Sequence, residues 1–291
     1  MMFKSIATLV QRAMNENVKI SEWMIRREME VSGMERNDMI AQMDVSLTVM
    51  EEAVQKGLNG VMSHSGLTGG DAVLLKKYRA KGLALSGDLL INAVSYAIAT
   101  NEVNAAMGKI CATPTAGSAG VVPGTLFAVR EKLHASREDM IAFLFCAGAF
   151  GGVVANNASI SGAEGGCQAE VGTASGMAAA AIVEMAGGTP QESAEAFAIA
   201  LKNMLGLVCD PVAGLVEVPC VKRNAAGASN AIVAADMALA GIKSKIPCDE
   251  VISAMQAIGQ SMSVRLKETA LGGLAQTPTG LRYQQEIFGD D

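Results

Sequence analysis

Apolar side chains recur every three or four positions along most of this chain, the period of helices half sunk in a core. Met39, Met43, Leu47, Met50 and Val54 form one such stripe. Strict alternation of apolar and polar residues, the mark of half-buried strands, is missing, as are internal repeats and low-complexity linkers. Start signals agree with the period. In "TPQESAEAFAIALKNMLG", Thr189 is placed to cap a helix, Pro190 to open it, Glu192 to reach back to the cap and Gly206 to stop it. Ser136 and Asp139 in "SREDMIAFLF" set up a second start. The pattern predicts an all-α fold. We read one helical domain over 1–291, with an N-terminal helical region (1–60) running without a linker into a body (61–291).

Composition narrows the partners. Half of the residues are apolar but only 4% are aromatic, so the bulk comes from Ala, Gly, Met and Leu, which suits closely packed helices. The net charge of -6, with no basic run, argues against nucleic acid or an anionic membrane surface. The uncharged stretch from Met140 to Ala163 is long enough to span a bilayer. It ends in "GGVVANNASISGA", however, and the uncharged Ile110–Val129 stretch carries two prolines and three threonines. Both read as buried helix plus polar loop rather than as lipid-facing spans. Lys4 and Arg12 interrupt the N-terminus, so no secretory signal is expected there. The six cysteines are too sparse for a disulfide framework, and a cytosolic protein with reduced thiols is the expectation.

The chemistry concentrates in glycine-rich connections. "SHSGLTGGDA" (63–72), "TPTAGSAG" (113–120) and "NNASISGAEGGCQ" (156–168) carry small side chains whose backbone amides can approach an anion or a cluster. A fourth connection, "CDPVAGLVEVPC", sets Cys209 and Cys220 at the two ends of a Pro/Gly-rich loop. Cys167 follows two glycines and precedes a helical pattern, where a helix dipole favours its thiolate. Three such thiols are the protein complement of a [4Fe-4S] cluster with one iron left open. Zinc also accepts three cysteines, though close C-x-x-C pairs are missing, and buried cysteines often simply pack as small hydrophobes. Packing is the reading for Cys111 and Cys146, while Cys248 is placed to cap the helix that begins "CDEVISAM". Of the two histidines, His134 reads as a helix-end residue and His64 as a pocket residue among hydroxyls and glycines. Phosphate-loop, zinc-helix and nucleophile-elbow motifs are missing from the sequence. A pyridoxal-phosphate enzyme would have to use Lys109, four residues before "TPTAGSAG".

Taken together, "SHSGLTGGDA", "NEVNAAMGKICATPTAGSAGVVPG", "NASISGAEGGCQAEVG", "CDPVAGLVEVPCVKRNAAGASNA" and "KETALGGLA" resemble the iron–sulfur-dependent L-serine dehydratases, in the alpha chain of their two-subunit form. The resemblance covers about residues 60–275, and the cysteine loop is its most specific part. It implies a helical catalytic chain with a [4Fe-4S] cluster on Cys167, Cys209 and Cys220, L-serine as substrate and a separate beta chain as partner. Single-chain members end in a cysteine thought to cover the open iron. The tail "RYQQEIFGDD" has none, so that contact is expected to be missing or replaced by the partner. Within this frame His64 is the expected base, and Ser63, Ser65, Thr68, Ser118 and Asn157 are expected to hold substrate. A cysteine desulfidase using the same cluster and a non-catalytic iron–sulfur electron carrier are the competing readings.

Overall fold

The three-to-four period winds into thirteen α-helices in the computed structural model, which describes residues 4–289. Helices α1 (Ile6–Asn15), α2 (Ile20–Ser32) and α3 (Arg36–Asn59) come first. Next are α4 (Asp71–Ala80), α5 (Gly87–Ala105), α6 (Val121–Leu133), α7 (Arg137–Asn157) and the single turn α8 (Gly162–Gly165). Helices α9 (Thr173–Met185), α10 (Pro190–Asn203), α11 (Cys220–Leu239), α12 (Cys248–Ser261) and α13 (Pro278–Phe288) complete the chain. A π-helical turn, Gln168–Gly172, runs directly into α9. Among the described residues no named strand forms; two isolated bridges, Met62 with Gly69 and Cys209 with Lys267, pin loops.

Both anticipated helix starts form. Ser136 and Asp139 make a reciprocal capping box at α7, and Thr189 and Glu192 make one at α10 behind Pro190. Two details differ from expectation. Helix α10 ends at Asn203, and Gly206 instead takes the left-handed conformation (φ 83°) in the turn beyond it. Cys248 is the first residue of α12 rather than its cap. Its thiol donates to the Ala194 carbonyl at 3.1 Å, which makes it a core contact between α12 and α10.

Helix α9 is the axis of the core. Every residue from Thr173 to Glu184 is buried, with α6, α7, α10 and α11 packed round it. Alanine and glycine keep these helices close, as the aromatic-poor composition implies. A Cβ on Gly57 of α3 would fall 2.2 Å from the Ala99 carbonyl oxygen of α5, so only glycine fits that crossing. Phe150 of α7 stacks on Phe197 of α10 with ring centroids 5.2 Å apart. Helix α7 is long and apolar enough to cross a membrane, yet 67% of its most apolar window is buried against the other helices. The other uncharged stretch divides into a polar loop and the start of α6.

Distant carboxylates fix how the outer helices dock. Glu184, deep in α9, accepts the amides of Ile20 (2.7 Å) and Ser21 at the start of α2. Glu102 of α5 accepts the amides of Asp71 (2.6 Å) and Ala72 at the start of α4. Asp249 of α12 does the same for Ile6 and Ala7 of α1. Each answers amides that a helix cannot satisfy internally, where a negative charge also suits the dipole. Burial pushes the carboxyls of Glu184 and Glu102 above their ordinary range.

Candidate metal centre

Three chain segments bring the cysteines together. Cys167 leads into the π turn, so its side chain stands at the start of the helical run that becomes α9. Cys209 lies in extended backbone held on both sides: its amide donates to Leu266 and its carbonyl accepts from Glu268. Cys220 is the first residue of α11, behind Pro219, and not in irregular backbone as the sequence suggested. Between the last two the chain makes a 3-10 turn, Val212–Gly214, so the loop is indeed not an ordinary helix. All three thiols are buried, at 2%, 2% and 6% exposure.

The Cys167 and Cys209 sulfurs and a carboxylate oxygen of Glu170 lie within 4.8 Å of one another, close enough to grip one metal centre. Cys220 stands outside that trio but within electrostatic reach of both sulfurs. The Cys209 thiol donates toward the Cys167 sulfur and draws the Cys167 thiol's pKa down, and the Arg223 guanidinium, 3.5 Å away, adds to the effect. The same contact, reinforced by burial, pushes Cys209 upward, and burial raises Cys220. Arg223 is itself fixed by Asp210 (2.8 Å) and the Val208 carbonyl (2.7 Å), so the cation is held in position.

Glu170 was not singled out by the sequence reading. Its i, i+3 spacing from Cys167 on a helical pattern was the available signal. Its carboxylate accepts the Thr115 hydroxyl at 2.8 Å, and burial lifts its pKa above the usual range. Gly162 makes room for it. A Cβ there would lie 2.5 Å from Glu170 Oε2 and 3.1 Å from Cys209 Sγ. The "SGAEGG" loop must therefore pass with bare backbone at that point.

The other glycine-rich loops dock on the same centre. Asn224, one turn into α11, accepts the Gly120 amide and donates to the carbonyls of Gly117 and Cys220, tying the 113–120 loop to the cysteine helix. Ser65 donates to the buried Glu217 at 2.8 Å, tying the 63–70 loop to the cysteine loop. Asp210 accepts the Leu274 amide at 2.7 Å and so holds the segment that follows "KETA".

The expected substrate residues divide. Ser63 and Thr68 are buried within the docked 63–70 loop, where Ser63 Oγ accepts the Thr68 amide at 3.3 Å. The buried Thr68 hydroxyl has no hydrogen-bond partner in the protein. His64 is at the exposed tip of that loop. Ser65 spends its hydroxyl on Glu217, and Ser118 is fully buried, donating to the Thr113 carbonyl within its own loop. The structure does not bring Asn157 into this group. It is exposed at the end of α7, and its amide donates to the Lys4 carbonyl. Cys146 is in the core and Cys111 donates to the Ser46 carbonyl, which agrees with a packing role for both. Lys109 is exposed.

The Serine dehydratase alpha chain family model matches residues 15–275. This chain belongs to that family. A Bacillus subtilis protein called "Probable L-serine dehydratase, alpha chain" is 70% identical, the match covering 99% of this chain and 96% of the relative. The "L-serine dehydratase, alpha chain" of Peptoniphilus asaccharolyticus is 40% identical over 99% of both chains. The longer "L-serine dehydratase" of Streptomyces coelicolor is 48% identical over 62% of this chain and 40% of its own length. The matched span takes in all three site cysteines, Glu170 and the 63–70 loop.

Proposed function

We propose that this serine dehydratase alpha chain deaminates L-serine to pyruvate and ammonia, with Cys167, Cys209 and Cys220 as the ligands of a [4Fe-4S] cluster and a beta chain as partner. The observation that carries the reading is the meeting of the buried Cys167 and Cys209 sulfurs from two separate segments, with the buried Cys220 of a third within electrostatic reach. The donor chemistry fits the cluster. Thiolates are its usual ligands, and Arg223 offsets their charge. The bound cluster would supply a Lewis-acidic iron that helps the β-hydroxyl leave.

The chain's own residues do the rest. In this reading the 63–70 loop receives the substrate, its carboxylate held by Ser63 and by the Thr68 hydroxyl, which has no hydrogen-bond partner within the protein. His64 Nε2 or Nδ1 takes the α-proton as the base, moving in from the exposed tip of that loop. Loss of the α-proton and the β-hydroxyl releases water and aminoacrylate, which tautomerises to an imine and hydrolyses to pyruvate and ammonia. Ser65 serves by anchoring this loop to Glu217, and Ser118 by shaping the loop whose Thr115 holds Glu170.

Anaerobic purification with and without the co-expressed beta chain, followed by product assays on a panel of amino acids, tests this reading. Pyruvate and ammonia from L-serine are expected in equal amounts. Sulfide release from L-cysteine with no serine turnover would replace it by the desulfidase reading. A borohydride-trapped adduct on Lys109 would replace it by the pyridoxal one.

A further inference from the structure

Glu170 presents a problem that its hydrogen bonds do not solve. Buried carboxylates elsewhere in this protein have answers to their charge. Glu184 and Glu102 each take two helix-start amides, with Lys19 and Lys222 near enough to help. Asp210 is paired with Arg223 at 2.8 Å. Glu170, only 8% exposed, has the Thr115 hydroxyl and the Gly162 amide, and the charged group that reaches it is another carboxylate, Glu268. Among the described residues no lysine or arginine forms an ion pair with it. A buried carboxylate without a cation is costly to keep, and a bound metal is the usual counter-charge.

The surroundings are built to let an oxygen approach the sulfur site. Glu170 shares its 4.8 Å ligand group with Cys167 and Cys209, and it rises from the same helical turn as Cys167. Gly162 and Gly117 line its carboxylate without side chains, at 2.5 Å and 3.2 Å from where their Cβ atoms would stand. Thr115 occupies one side of Oε1 and orients the group. Three thiols and one carboxylate make four donors, the number of terminal positions a four-iron cluster offers.

We propose that Glu170 is the fourth protein ligand of the cysteine site, an oxygen donor that holds the remaining iron at rest and gives way to substrate. The proposal rests on the cluster reading above, and its test separates the two. Wild-type chain, Glu170→Gln and Glu170→Ala are reconstituted anaerobically with iron and sulfide and assayed for both elements. They are then reduced by one electron and examined by electron–nuclear double resonance in oxygen-17-labelled water. Glu170→Gln, nearly isosteric and able to keep the Thr115 contact, guards against a variant that merely unfolds. Full iron and sulfide in all three proteins is expected. So is no oxygen-17 coupling in wild type, with a coupling gained in both variants as water takes the vacated position. Adding L-serine to wild type should bring in coupling from serine labelled at the hydroxyl oxygen. Strong water coupling in resting wild type, equal to that of the variants, overturns the ligand role while leaving the cluster reading intact. No iron–sulfide uptake by wild type overturns both.

Discussion

Glu170 and Glu184 are two glutamates on one continuous helical run, both buried and both pushed toward the neutral acid by that burial. At the inner end, Glu184 meets the amides of Ile20 and Ser21, and its work is to dock the N-terminal helices. At the other end, Glu170 meets a hydroxyl, two bare glycines and two sulfurs. Residue type, burial and helix are shared, so none of them separates structure from chemistry. The unsatisfied part of the surroundings does. Where every charge is answered by backbone the group holds the fold together, and where it faces thiols and bare backbone it is left free for chemistry.

The largest effect that would sharpen this contrast is on turnover at the site end. His64→Ala should lower kcat for serine about 10²- to 10⁴-fold while iron content and melting temperature stay at wild-type values. A rise in KM alone would reassign His64 to carboxylate binding. Stability should respond at the other end. Glu184→Ala strands two buried helix-start amides and should cost on the order of 3 kcal/mol in denaturant unfolding. Glu170→Gln in metal-free protein should change stability by less than about 1 kcal/mol, because it removes a buried charge that no cation balances. Equal losses in the two would break the comparison.

Glu184 also gives a pH signature. Its folded pKa lies above its unfolded value, so it favours the fold below the unfolded pKa, near 4.3 for a free glutamate. That contribution is lost as pH rises through the folded value. Glu184→Gln should therefore flatten the stability–pH curve over that window, and an unchanged slope would contradict the assignment.

The Ser65–Glu217 contact is a smaller lever between the two regions. Ser65→Ala and Glu217→Ala should each speed amide exchange in residues 63–70, and the double variant should be no worse than the more severe single one. Additive effects would show that the two residues act separately. The smallest expected change is a purely local one: Thr189→Ala should cost about 1 kcal/mol and leave the site untouched.

The sequence disclosed what is local. Thr189, Pro190 and Glu192 are neighbours, so the start of α10 could be read directly, and the same holds for Ser136 and Asp139 at α7. The loop character of 209–220 followed from its prolines and glycines. Cys220 as a helix start was obscured by the Pro219 that precedes it. What escaped was set by distant pairing. Glu217 meets Ser65 across 152 positions, and Asn224 meets Gly120 across 104, so no window along the chain contains either partner. Glu170 lay within reach of the reading, three residues from Cys167, but its meaning depends on Thr115 and Cys209 arriving from elsewhere. Asn157 misled for the same reason. Its asparagine-rich loop looked polar and available, and its amide is used by Lys4, 153 positions away.

The central claim is that Cys167, Cys209 and Cys220 together hold an iron–sulfur cluster. Iron and acid-labile sulfide measured after anaerobic purification of Cys167→Ala, Cys209→Ala, Cys220→Ala and, as a core control, Cys146→Ala test it most directly. The account predicts that each of the first three loses both elements while Cys146→Ala, whose thiol is fully buried in the core, keeps wild-type amounts. Wild-type amounts of iron and sulfide in Cys167→Ala, Cys209→Ala or Cys220→Ala would contradict it.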